Sequence, residues 1–494
     1  MTSEQGSTTP AGQQGSEGSE GTGSEPGLRR VMGPRLLLLF IVGDILGTGV
    51  YALTGDVAGE VGGAAWAPFL VAFAVATITA FSYLELVTRY PQAAGAALYA
   101  HKAFGIHFLT FIVAFAVMCS GITSASTASN AFAGFLNDGF DLGFEVGGPG
   151  ILAIALLFMT AVAAINFRGV SESVKVNVVL TLVELSGLLL IILVGLYAVT
   201  QGNADFSRVV VFESTDDKSI FFAVTAATTL AFFAMVGFED SVNMVEECRD
   251  PQRDFPKMML TGLGITGVIY VLVSITAVAL VPVGKLTDDA LPSALTQVVA
   301  AGAPSLPFDT IFPFIALFAV ANSALINMLM ASRLLYGMAT QRVLPSVLGR
   351  VHRTRRTPWV AIVFTTVISF GLITYVVTAS GSTSGANAVA LLGGTTSLLL
   401  LGVFAVVNIS LLVIRRTPAD DPHFKAPMVL PYVGAATCLF LVGPWARSSD
   451  QQEQYSIAGV LLGVGVVLWA LTWLANRGIR GAKTGFRDIE HLER

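Results

Sequence analysis

Four acids stand inside long apolar runs of this sequence, Asp44, Glu184 and the adjacent Glu239 and Asp240, and a fifth, Glu85, lies near the end of one. An acidic side chain at the centre of a membrane helix costs about 2.5–3.5 kcal/mol, so each of these needs a cavity, a partner or a proton. No Lys or Arg lies in the middle of a run, so no fixed base there supplies the counter-charge. Glu184 shares one helix face with Asn177 and Thr181, at spacings that place all three on a single polar stripe. A carboxyl on such a stripe can carry a proton, because a low dielectric penalises its charged form. It can equally brace two helices by hydrogen bonding. Asp44 and Glu239 are further candidates for coupling or gating, with helix packing as the plainer role for Asp44.

Two of the acids adjoin glycines in mid-run. Residues 43–51 read GDILGTGVY, and residues 232–241 read FFAMVGFEDS. Glycine weakens a helix, and an unwound stretch exposes backbone N–H and C=O groups that lipid cannot satisfy, so a break there must line a cavity. Close packing of helices through small residues is the alternative. A half-helix that begins at such a break offers N–H groups and a positive dipole end to a carboxylate, and one that ends there offers carbonyls to an ammonium. A zwitterion matches both ends.

The elements that hold these residues are legible from composition. The chain has 494 residues, 54% hydrophobic and 12% charged, against about 25% charged in a soluble domain. Twelve apolar runs are expected at about 36–55, 65–87, 106–130, 149–166, 177–200, 219–244, 259–282, 310–338, 359–379, 387–414, 429–446 and 455–476. The fold class is therefore an all-α integral membrane protein with twelve transmembrane helices. Residues 1–28 are rich in Gly, Ser, Thr and Gln and too poor in apolar groups to fold. They form a tail, and they lack the pattern of a signal peptide. The transporter core is expected over 29–426, two more transmembrane helices over 427–476, and a C-terminal tail over 477–494.

With twelve spans both termini share one side, and 24 of the 28 Lys and Arg side chains fall there. Only Arg208, Lys218, Lys285 and Arg447 fall on the other. This bias makes the tail side cytoplasmic and the protein a multi-pass component of the cell membrane. The glycine-broken runs are the first and the sixth, corresponding positions in two halves of five spans (about 36–200 and 219–414). Five is odd, so the halves are inverted, a 5+5 repeat with its site near the midplane.

The run from Phe233 to Pro256, FAMVGFEDSVNMVEECRDPQRDFP, resembles the sixth span and following loop of the amino acid/polyamine/organocation (APC) superfamily of permeases, above all its cationic amino acid transporter-like bacterial members. Residues 43–51, Tyr83 to Leu86 with Tyr90-Pro91, Gly95 to Tyr99, Asn166 to Val170, and Ser332 to Tyr336 with Leu344-Pro345 fit the same family in order, across about residues 33–430. The resemblance implies a LeuT-like fold with broken helices 1 and 6. It implies that Gly47, Thr48 and Gly49 meet a substrate carboxylate, and that Ile45 with the backbone of Ala234, Val236 and Gly237 meets the amino group. Phe233 matches an aromatic that closes over substrate in some relatives, although a core aromatic is the alternative. Glu239 matches an acid to which gating or proton sensing is ascribed. Some proton-coupled relatives carry Lys where this chain has Glu184, so their coupling scheme does not transfer unchanged.

Other classes fit less well. Acidic residues outnumber basic ones, 33 to 28, and no basic stripe with interleaved aromatics points to nucleic acid. There is no phosphate-binding GxxxxGK[ST], no HExxH and no GxSxG, so neither ATP drive nor a familiar hydrolase chemistry is indicated. Cys119, Cys248 and Cys438 are far apart and suit packing; neither they nor the five His show metal-ligand spacing. The charged segment 246–251 suits an inner-gate ion pair with Arg89 or Arg168, or else a solvated loop. The expected activity is secondary active transport of an amino acid by alternating access, without cofactor and driven by H+. Exchange or uniport on the same fold, or a channel or sensor, are the alternatives. A cationic substrate and a neutral one carried with a proton both match acids without a base.

Overall fold

A computed structural model describes residues 33–92, 95–145, 147–168, 173–213, 219–288, 291–380, 387–418, 422–479 and 483–489; the N-terminal tail expected over 1–28 lies outside them. Sixteen α-helices follow one another among these residues. They are α1 (Pro34–Leu46), α2 (Thr48–Val61), α3 (Trp66–Arg89), α4 (Gly95–Phe104), α5 (His107–Phe140), α6 (Pro149–Arg168), α7 (Ser173–Thr200) and α8 (Ile220–Ala231). The second half holds α9 (Pro251–Leu280), α10 (Val283–Leu286), α11 (Ala294–Gly302), α12 (Phe308–Thr340), α13 (Trp359–Ser380), α14 (Asn387–Ile414), α15 (Leu430–Val442) and α16 (Glu453–Ile479). No strand occurs among the described residues; one isolated bridge pairs Gly62 with Phe212.

The molecule is an all-α membrane protein. Among the described residues, eleven stretches are long and apolar enough to cross a bilayer, with α1 and α2 counted as one. The run expected at 429–446 forms α15, an apolar helix of only 13 residues, because the chain turns extended at Gly443 before Pro444. In the other direction, α5 runs ten residues beyond the expected end at 130. Ala131, Ala133 and Phe135 continue its buried face, and Asp141 in the left-handed region (φ 48°) ends it.

α5 is the central post, packed on both α12 and α14. Buried hydroxyl pairs fix it: Thr123 with Thr396 of α14 and Ser126 with Ser369 of α13, each at 2.7 Å. Hydrogen bonds of this kind fix register where lipid supplies no hydrophobic drive between helices. Around the post, α1 packs on α7 and α9, and α2 on α8. The two glycine-bearing runs are thereby placed side by side in the interior.

Candidate substrate and ion site

The first run breaks at one residue. α1 ends at Leu46, Gly47 takes a non-helical conformation (φ −29°, ψ −146°), and α2 starts at Thr48. A side chain on Gly47 would displace the Ser323 hydroxyl of α12, since its Cβ would lie 2.1 Å from Ser323 Oγ. That hydroxyl accepts from the freed Thr48 N–H at 3.1 Å, and the Tyr270 hydroxyl of α9 donates to the Ile45 carbonyl at 2.6 Å. Both orphaned ends of the break are thus held by side chains of other helices.

The second run breaks differently. α8 passes into a 3-10 turn over Phe232–Met235, Val236 is extended, and Gly237 adopts φ +125°, a conformation L side chains rarely adopt. A Cβ on Gly237 would stand 2.6 Å from the Asp44 carbonyl oxygen, and one on Gly49 would stand 2.4 Å from Ala234 Cα. The two breaks therefore touch backbone to backbone. Of the residues singled out from sequence, Asp44, Ile45, Gly47, Thr48 and Gly49 from one run and Ala234, Val236, Gly237 and Glu239 from the other meet here. Phe233 is buried one residue away, its ring beside Leu53 and Gly393.

The acids converge on the same place. Asp44 feels the charges of Asp240, Glu239 and Glu184, all of its own sign. Glu239 accepts the Gly237 N–H at 2.9 Å and so ties its carboxyl to the break. Asp44 Oδ2 and Thr48 Oγ1 are buried without a hydrogen-bond partner. Glu184 is fully buried, as is Thr181 of its stripe, whose hydroxyl lies against Gly43. The side chain of Asn177 lies outside the described residues. The polar neighbour of Glu184 is Asn322 of α12, and the Tyr51 hydroxyl donates to the Glu184 carbonyl.

Sequence reasoning passed over Asn322, Ser323, Tyr51 and Tyr270. The adjacent pair Asn322-Ser323 in the middle of an apolar run was the readable signal; the tyrosines carried none, since buried Tyr is common. The Arg89 guanidinium donates to the carbonyls of Ile414, Thr417 and Pro418. The side chains of Glu246 and Glu247 lie outside the described residues.

One helical turn from Thr48, Ala52 forms part of the wall of a cavity of about 230 Å³, which Asp56, Asn130, Asp138 and Asp288 also line. Asn130 Oδ1 is buried and without a hydrogen-bond partner. The cavity lies at the end of α5 that carries Asp141 and beside the α10–α11 connection.

The two broken helices thus meet backbone to backbone, with Asp44, Glu239 and Asp240 gathered beside the contact. Residues 35–474 match the family model described as amino acid permease. The chain belongs to the amino acid permease family. It is a multi-pass membrane permease of the APC superfamily, as the motifs from Gly43 to Pro345 led one to expect. The methylthioribose transporter of Bacillus subtilis is 26% identical over 435 residues, 84% of this chain and 88% of that one. The branched-chain amino acid permease BcaP of the same organism is 25% identical over 85% of this chain and 89% of its own. The chloroplastic cationic amino acid transporter 9 of Arabidopsis thaliana is 30% identical over 64% of this chain and 56% of its own.

Proposed function

We propose that this permease carries an amino acid across the membrane by alternating access, coupled to protons. The observation that carries the reading is the convergence of Asp44, Glu184, Glu239 and Asp240 on two touching helix breaks, with only like charges acting on Asp44. Four ionised carboxylates in a low-dielectric interior repel one another and lack hydration, so the array calls for protons or a cationic group as counter-charge. An ammonium supplies one such charge and a translocated proton another.

In this reading the α-carboxylate sits against the N-terminal end of α2 at Thr48 and Gly49, and the amino group meets the carbonyl end of α1 at Ile45 with the backbone of Ala234 to Gly237. Phe233 covers the substrate. The touching breaks then correspond to a closed site, which substrate entry must part. The first five and second five spans act as inverted halves of a LeuT-like fold, α15 and α16 flank them, and both termini are cytoplasmic.

The test is uptake by purified protein in liposomes. Counterflow of a labelled amino acid separates a carrier from a channel or sensor, and accumulation under an imposed pH gradient reads the coupling. Glu184→Gln is expected to keep exchange and lose gradient-driven accumulation, because glutamine keeps the shape and cannot ionise. Accumulation with the parent's pH profile assigns the proton elsewhere, and Glu239→Gln then decides.

A further inference from the structure

Away from the transport site, a cavity of about 810 Å³ opens where α3 and α14 end, lined by Arg89, Arg415, Thr417, His423, Lys425 and Met428 among others. Its walls are fixed by the chain itself. Glu85, buried on α3, accepts from Arg415 Nε at 2.8 Å and Nη2, and from the Ala426 N–H at 2.7 Å. The Phe424 N–H donates to Thr88 Oγ1 at 3.1 Å, and the Phe424 ring stacks on Phe81 with centroids 6.0 Å apart. Segment 422–428 is thereby pinned against α3.

Among the described residues, the charge count favours an anion. Glu85 is matched by Arg415, which leaves Arg89 and Lys425 with no carboxylate partner among the described residues. Arg89 is oriented by three carbonyls, and Lys425 is exposed at the rim. The flank of the cavity is of the opposite kind. Met428, Val429 and Tyr432, at the start of α15, are 75%, 65% and 56% exposed, and the Tyr432 hydroxyl acts electrostatically on Arg415. Tyrosine with one end wet and one apolar is characteristic of the membrane interface.

A cationic recess bordered by an exposed apolar strip at the end of membrane helices matches an amphiphile with an anionic head. We propose that this cavity binds the headgroup phosphate of an anionic phospholipid between Arg89 and Lys425, with an acyl chain along Met428, Val429 and Tyr432. Free inorganic phosphate would engage the cationic half alone and gain nothing from the apolar strip. The bound lipid would tie α3, α14 and α15 together at one face of the bilayer.

Native mass spectrometry of the full chain, delipidated and then offered phosphatidylglycerol or phosphatidylcholine, tests the proposal. Preferential retention of phosphatidylglycerol is expected, reduced about fivefold by Lys425→Gln, since one cation near a membrane surface contributes on that order. Lys425 is exposed, so this variant leaves the packing intact, whereas Arg89 also ties backbone carbonyls. Thermal melting should rise with phosphatidylglycerol and not with inorganic phosphate. Equal retention of the two lipids overturns the proposal, as does a shift by phosphate as large as that by phosphatidylglycerol. Retention unchanged in Lys425→Gln but increased in Asp420→Asn/Asp421→Asn assigns the cations to the chain's own carboxylates and overturns it too.

Discussion

At the scale of single residues, the site depends on atoms that are missing as much as on those present. Gly49 and Gly237 let two backbones meet where a methyl group would stand 2.4 Å from Ala234 Cα and 2.6 Å from the Asp44 carbonyl oxygen. Gly237 carries the further demand of φ +125°. Gly237→Ala is therefore expected to lower stability by about 1–3 kcal/mol through backbone strain alone, and more if the breaks are forced apart. Tyr270→Phe removes only the donor to the Ile45 carbonyl, and its expected cost is about 1 kcal/mol. Melting of the two purified variants orders them: a Gly237→Ala protein as stable as Tyr270→Phe would show that the contact between breaks is not a tight one. The acids follow the same logic with charge in place of volume. Asp44, Glu184 and Glu239 were readable because an acid in an apolar run is conspicuous. Ser323 and Asn322 were not, since small polar residues are common in membrane helices and only the fold shows that this pair faces Thr48 and Glu184.

At the scale of elements, hydrophobic length was the readable signal, and local chemistry decided the rest. Ten of the twelve expected runs coincide with long membrane-length helices to within a few residues at most ends, because an apolar run in lipid has little choice but to become a helix. Two runs depart from expectation, α5 by outlasting its polar Asn130 and α15 by stopping at Gly443. The short connecting helices α4, α10 and α11 left no comparable mark, since their stability comes from packing onto the bundle. α4 brings a titratable group with it. His101 lies 5.1 Å from the His107 ring, centroid to centroid, and its Nδ1 is 3.1 Å from Thr110 Oγ1. Burial first, then His107 and Lys102, hold its pKa below the usual histidine value. The folded protein thus binds fewer protons here than the unfolded chain, so this contribution is complete above the unfolded pKa and is lost as pH falls toward the depressed folded one. Melting temperature is expected to drop between about pH 7 and about pH 5, and His101→Gln should flatten part of that drop. An identical pH profile in the variant would place the titration elsewhere.

At the scale of the whole molecule, orientation follows from charge. The loops that carry 24 of 28 cations include the connection with Arg353, Arg355 and Arg356, while the opposite loops hold Arg208 and Lys285. Each of the first ten runs forms a helix, or a pair of half-helices, long and apolar enough to cross a membrane, and if each crosses, the sides alternate as the sequence count requires. Cations are retained on the cytoplasmic face during insertion, and the bias is set by short loops close to the spans. Both termini are therefore expected inside. The three native cysteines, Cys119, Cys248 and Cys438, are buried, which gives single-cysteine labelling a low background. Cysteine introduced at Asp141, Arg208 or Lys285, the first and last of which are exposed, should react with an impermeant thiol reagent added to intact cells. Cysteine at the exposed Arg353 or Asp250 should react only after the membrane is opened. External labelling at 353 or 250 would reverse the orientation, and with it the direction in which the cavity between Asp56 and Asp138 opens. Mixed labelling along the series, outside at 141 but inside at 285, would instead mean that a helix counted as a span does not cross. That outcome would break the alternation on which the inverted halves rest, since the sixth run enters from the side opposite to the first only if five crossings separate them.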